Sequence, residues 1–186
     1  ASAKVIDLAN TDFVNIHDVI LDAGSGDQCI NLDNSAGIRL SRSKLTSVAG
    51  SGIEGYAVNV VENNAGTGGA TSIVIDECYI TGGRAAVYLE DRSVAEIKNS
   101  RLIASYGVAD ASSVAALLCD EHYNQGPTFR VFNTRLEATT TGSHTGVVAA
   151  ITHWTNTSGA AAVSQMSGEI VGGSIAVTGA AGSTVR

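Results

Sequence analysis

Apolar positions recur along this chain in two short signatures, never in long runs. The first is a strand-like triplet: Ile6-Asp7-Leu8, Ile30-Asn31-Leu32, Val58-Asn59-Val60, Val87-Tyr88-Leu89, Leu117-Leu118-Cys119 and Ala149-Ala150-Ile151. Its third members lie 24, 28, 29, 30 and 32 residues apart. The second is an apolar-x-apolar pair, a polar bend and an apolar anchor. It reads Val14-x-Ile16 to Leu21, Ile38-x-Leu40 to Leu45, Ile73-x-Ile75 to Ile80, Ala95-x-Ile97 to Leu102, Phe129-x-Val131 to Leu136, and a degenerate Val163-x-Gln165 to Ile170. From triplet to anchor the spacing is 13 residues in three units and 20, 17 and 19 in the others. A fixed minimum with polar insertions at one place is how the coils of a solenoid behave, since loops bulge outward while strands stay stacked.

Alternation of period two and units too short for a helix predict an all-β chain with about three short strands per coil. The one Ala-rich stretch, Val108 to Leu118, is weakened as a helix by Gly107 and Ser112-Ser113. Residues 1–186 form one domain of about six to seven coils, and six coils at roughly 4.8 Å each make a rod on the order of 30 Å long. Ile175 and Val177 read as the start of a seventh coil. Together with an opening Ala-Ser-Ala-Lys, that leads to the expectation of a segment of a longer chain. Stacking turns equivalent positions into columns. Two before the second-signature anchor the column is small (Val19, Ser43, Cys78, Ser100, Thr134, Gly168), as an inward corner requires. One earlier stand Asp18, Arg42, Glu77, Asn99, Asn133 and Ser167, where Asn99 over Asn133 predicts an amide ladder at a bend that admits left-handed backbone.

Coils of this kind, with an Asn-bearing bend and long loops along one edge, resemble the right-handed parallel β-helix of pectate lyases, polysaccharide epimerases and bacteriophage tailspikes. The resemblance covers nearly the whole chain as a pattern and carries no catalytic signature of any one family. It implies the right hand and, for the tailspike type, a homotrimer that binds and often cleaves bacterial surface glycans.

Composition narrows the rest. A net charge of −7 without a Lys/Arg cluster lacks the electrostatic footprint of nucleic-acid binding. No apolar run is long enough to span a bilayer, so membrane insertion is not expected. Cys29, Cys78 and Cys119 are odd in number and irregularly spaced, indicating neither a disulfide framework nor a zinc site. They read as small buried hydrophobes.

Candidate chemistry sits just after the triplets. If the third member points inward, the next faces out: Ala9, Asp33, Val61, Glu90, Asp120 and Thr152, followed by Asn10, Asn34, Glu62, Asp91, Glu121 and His153. Glu90 and Asp120 fall on neighbouring coils, roughly 5 Å apart at the backbone. Two carboxylates that close keep one proton to higher pH, the condition for an acid paired with a base or nucleophile. Asp91 and Glu121 support them. Tyr88, His122, Tyr123, His153 and Trp154 cluster around this notch as apolar platforms and hydrogen-bonding groups for sugar rings. The outward column Lys44, Tyr79, Arg101, Arg135 and Glu169 reads as a solvated face with cross-coil ion pairs.

The functional expectation is a tailspike-like, polysaccharide-recognising β-helix, extracellular or on a virion. It binds bacterial surface polysaccharide, with hydrolysis through the carboxylate pair and no metal or cofactor. A lyase is less favoured: it needs a basic proton abstractor near the acids, the nearby candidates Arg84 and Arg92 fall off the outward column, and the net negative charge argues against a polyanionic substrate. The alternative is a non-enzymatic structural or adhesin module mediating subunit contacts.

Overall fold

The computed structural model describes residues 4–25, 28–49, 55–61, 70–121, 126–155 and 166–186, with Trp154 and Thr155 described by backbone alone. The described strands form three wholly parallel sheets, and each sheet takes one strand from every coil in chain order. The first sheet stacks Lys4–Ala9, Gln28–Asp33, Tyr56–Val61, Ala85–Glu90, Val114–Glu121, Val147–Thr155 and Thr184–Val185. The second stacks Asn15–His17, Ile38–Ser41, Ser72–Asp76, Val94–Lys98, Thr128–Phe132 and Ser167–Val171. The third stacks Ile20–Ser25, Lys44–Val48, Tyr79–Gly82, Arg101–Tyr106, Arg135–Thr140 and Ser174–Thr178. This is a parallel β-helix of six coils with a seventh begun by Thr184–Val185. The Ala-rich stretch is strand from Val114 onward.

Columns of aliphatic side chains fill the lumen: Ile30, Val58, Val87 and Leu117 from the first sheet, Leu40, Ile75, Ile97 and Val131 from the second, and Leu45, Ile80, Leu102 and Leu136 from the third. All are fully buried. Burial of a side chain of this size stabilises by roughly 1.5–3 kcal/mol, which lets short strands hold a long rod. The three thiols are free and buried, as the sequence indicated. Burial raises the Cys119 thiol to about 12, with the neighbouring Asp120 charge adding to it.

The bend between second and third sheets repeats one backbone conformation in every coil. Asp18, Arg42, Glu77, Asn99 and Asn133 all have φ between 46° and 56°, and Gly172 has φ 70°. This left-handed corner turns the chain sharply without spending a loop. In the sixth coil it is Gly172-Gly173, where a Cβ on Gly173 would lie 2.1 Å from the Thr134 carbonyl oxygen. That substitution hid the corner from the sequence pattern. The sixth-coil partner of Leu136 is Ile175, and Ile170 belongs to the second sheet beside Val131. Ile175 and Val177 therefore complete the sixth coil and do not open a seventh.

The amide ladder stands elsewhere than predicted. Asn99 Nδ2 donates to Asp76 Oδ1 at 3.1 Å. On the outward side of the first sheet, Asn31 Nδ2 donates to Asp7 Oδ1 (2.8 Å), and Asn59 Nδ2 donates to Asn31 Oδ1 (2.7 Å). Tyr88 takes the next place in that column.

Candidate functional site

The strand register confirms the geometry expected of the first two acids. Glu90 and Asp120 are direct partners on adjacent strands of the first sheet. Leu89 and Cys119, just before them, fill the lumen. In the sixth coil the column slips by two, because Ile151 pairs with Leu117. The register partner of Asp120 is Trp154, not Thr152, and His153 pairs with Cys119. The repeat Val147-Val148-Ala149-Ala150-Ile151 offers several equivalent alternations, so the sequence left that slip open.

The outward face here is covered. Asp120, Asp91 and Glu121 are each 1% exposed and Tyr88 7%, and only Glu90 of the four acids is partly exposed. A second apolar cluster, Tyr56, Val61, Ala85, Tyr88, Ala115 and Leu118, lies on this outer side. Apolar residues therefore line both faces of the first sheet through coils three to five, as parallel strands buried on both sides require.

A polar network threads that cluster. Tyr88 stacks on Tyr56 with ring centroids 4.4 Å apart and planes within 6°. The Tyr88 hydroxyl donates to Asp120 Oδ2 at 2.7 Å. Burial, then the Glu90 and Asp120 charges, push this phenol far above its ordinary range, so it stays a neutral donor. Arg84, buried, donates from Nη1 to the Tyr56 hydroxyl (3.1 Å) and from Nε to the Ser113 carbonyl (2.9 Å). His153 Nε2 is 3.5 Å from Glu121 Oε2. The structure thus brings together Tyr88, Glu90 and Asp120, and separately Glu121 and His153. The Trp154 side chain, His122 and Tyr123 lie outside the described residues. Tyr56 was missed by sequence reasoning, and Arg84, read there as a basic residue near the acids but off their column, is buried against Tyr56. The register signal was available for Tyr56, which is the ladder partner of Ala85.

A second feature is open to solvent. A groove of about 800 Å³ follows the left-handed corner across four coils, lined by Asp18 to Ile20, Arg42 to Lys44, Glu77 to Tyr79 and Asn99 to Arg101. Its lining includes the small column Val19, Ser43, Cys78 and Ser100, of which the last three are buried. Its bend-side wall is Asp18, Arg42, Glu77 and Asn99. Arg42 holds Asp18 in a two-point pair at 2.8 and 2.7 Å. That guanidinium, helped by His17, keeps the Asp18 carboxyl well below the usual carboxylate range. The other wall is the outward column of the third sheet, with Tyr79 38% exposed between Lys44 and Arg101 on the flanking strands. Their cationic groups lie 5.9 and 5.2 Å from the Tyr79 ring centroid. Glu169 does not belong to this column; it pairs in register with Arg130 on the second sheet.

Among the described residues no group of three His, Cys, Asp or Glu side chains is placed to hold a metal ion. No helix among them is long and apolar enough to cross a membrane. No family model, curated protein or solved structure matches the chain.

Proposed function

We propose that this β-helix is a glycan-binding domain that holds an extended polysaccharide along the groove between its second and third sheets. The observation that carries the reading is the groove itself. It is open, about 800 Å³, and continuous over four coils, with the exposed Tyr79 set among hydrogen-bonding side chains. A solenoid presents its side chains at a constant rise, which suits a polymer with a repeat of its own. Sugar recognition needs a few placed polar groups beside an aromatic body. On this reading the protein works outside cells, on a virion or cell surface, as a homotrimer of side-by-side rods similar to a tailspike. Its ligand is a bacterial surface polysaccharide.

Hydrolysis is a second reading, at a place apart from the groove: the first-sheet pair of Glu90 and Asp120, which a glycan reaches only if the cover over Asp120 opens. Glu90, the more exposed, would act as acid, and Asp120, held by Tyr88, as base or nucleophile, with Asp91 and Glu121 in support. One experiment covers both. Wild type, Tyr79→Ala, Glu90→Gln and Asp120→Asn are incubated with a panel of purified bacterial surface polysaccharides, and retention and chain length are followed. The expected result is binding to at least one chain that Tyr79→Ala weakens roughly tenfold, about the worth of one good contact. Unchanged binding by Tyr79→Ala, or no binding by wild type, overturns the groove assignment. Retention without shortening removes hydrolysis and leaves the binding function standing.

A further inference from the structure

Resting on that glycan reading, we infer that the groove takes an acidic polysaccharide, its anionic groups met by Lys44 and Arg101 on either side of Tyr79 and by Arg135 one coil further on. In register the outward column of the third sheet runs Ile20, Lys44, Tyr79, Arg101, Arg135, Ser174. Three of the eleven Lys and Arg residues of a chain with net charge −7 thus stand in one line.

Like charges directly opposite on neighbouring strands repel, so such a line is costly unless something separates or neutralises its members. Two devices do so. Tyr79 lies between Lys44 and Arg101, and its ring faces attract both cations. Glu137 takes both Arg101 and Arg135, with Arg101 Nη2 donating to Oε2 at 3.1 Å and Arg135 Nε 2.9 Å from Oε1. One carboxylate against three cations leaves an excess of two positive charges. Lys44 has no carboxylate within 4 Å among the described residues. On the facing wall Arg42 and Asp18 cancel, which leaves Glu77 as the opposing acid, and its field acts on Arg42. Within the groove's own lining Lys44 is therefore the cation without a carboxylate on the third-sheet wall, since Glu137 takes Arg101 and Arg135 lies one coil beyond. With a cation on either side, Tyr79 spaces the two charges apart by two coils, roughly 10 Å. An anion-bearing polymer supplies the missing counter-charges; a neutral one leaves Lys44 unused.

The test compares dextran with carboxymethyl-dextran, the same backbone without and with anionic carboxymethyl groups, against wild type, Lys44→Gln, Lys44→Glu and Arg101→Gln, with folding checked by thermal melts. A DNA duplex is the third probe. Expected is at least tenfold tighter binding of carboxymethyl-dextran than of dextran, weakened by added salt. Lys44→Gln should weaken it about three- to tenfold and Lys44→Glu further, in each case by more than the same variant weakens dextran. Equal binding of the two dextrans, or indifference to both Lys44 variants, overturns the acidic assignment while the groove reading stands. A duplex bound as tightly as carboxymethyl-dextran, and equally sensitive to Lys44, overturns it in favour of nucleic acid. Failure of both dextrans and of every surface polysaccharide overturns this inference and the glycan function together.

Discussion

Tyr88 and Asp120 are joined diagonally across two adjacent strands of the first sheet, the phenol donating to the carboxylate at 2.7 Å where both are buried. A charged acceptor in such a place loses more when its donor goes than an exposed one does. Tyr88→Phe keeps the ring stacked on Tyr56 and removes only the hydroxyl. It should destabilise the fold by about 1–3 kcal/mol, seen in urea titration as a lower midpoint with an unchanged slope. An unaltered midpoint would show that Asp120 is held without Tyr88.

The left-handed corner gives a prediction of opposite sign at a neighbouring site. Glu77 is exposed at φ 54° in the position that Gly172 fills in the sixth coil. An L residue there carries a strain of about 1–2 kcal/mol, and glycine avoids it at an entropic cost of roughly 0.5–1 kcal/mol. Glu77→Gly should therefore raise stability by up to about 1 kcal/mol, whereas Glu77→Val, β-branched and stiff, should lower it by about 1–2 kcal/mol. Thermal melts of the two variants check the ordering. A destabilised glycine variant would mean that the Glu77 side chain contributes more than its backbone costs.

These two sites also mark what the sequence could and could not reveal. The spacing of apolar anchors was enough to find three strands per coil and to place Glu90 against Asp120, because the lumen admits only side chains of matching size at matching positions. It failed in the sixth coil for two physical reasons. Gly172-Gly173 replaced the polar corner, and Val147 to Ile151 alternates equally well in two registers. Burial on the outer face of the first sheet was not legible, since Asp120 is a charged residue of a kind that ordinarily marks solvent. The groove was hidden for the opposite reason. Its wall of Lys44, Tyr79 and Arg101 reads as an ordinary solvated column, and the small residues beside it read as a corner rather than as part of a binding surface.

The Tyr106 and Asp110 pair sets a pH dependence on both flanks. Tyr106 Oη donates to Asp110 Oδ2 at 2.5 Å, the Ser112 N–H donates to Oδ1 at 3.0 Å, and His144, fully buried, stands edge-on to the Tyr106 ring at 5.5 Å. For Asp110, burial alone would raise the carboxyl, but the donors from Tyr106 and Ser112 outweigh it and hold it below its ordinary value. For Tyr106, burial first and then the bond to Asp110 raise the phenol to about 12. A lowered acid contributes stability that is present above its unfolded value, near 4, and lost as pH falls through the folded one. A raised phenol contributes stability that is present below about 10 and lost as pH climbs towards 12. Tyr106→Phe removes the phenol's contribution and the Tyr106 share of Asp110's, leaving the share that Ser112 supplies. Its deficit against wild type should be about 1–2 kcal/mol near pH 7, shrink below about pH 4 as Asp110 takes a proton, and shrink again above about pH 10. Urea midpoints of the two proteins from pH 3 to 11 give the curve. A deficit that stays constant across that range would place the role of Tyr106 in packing alone.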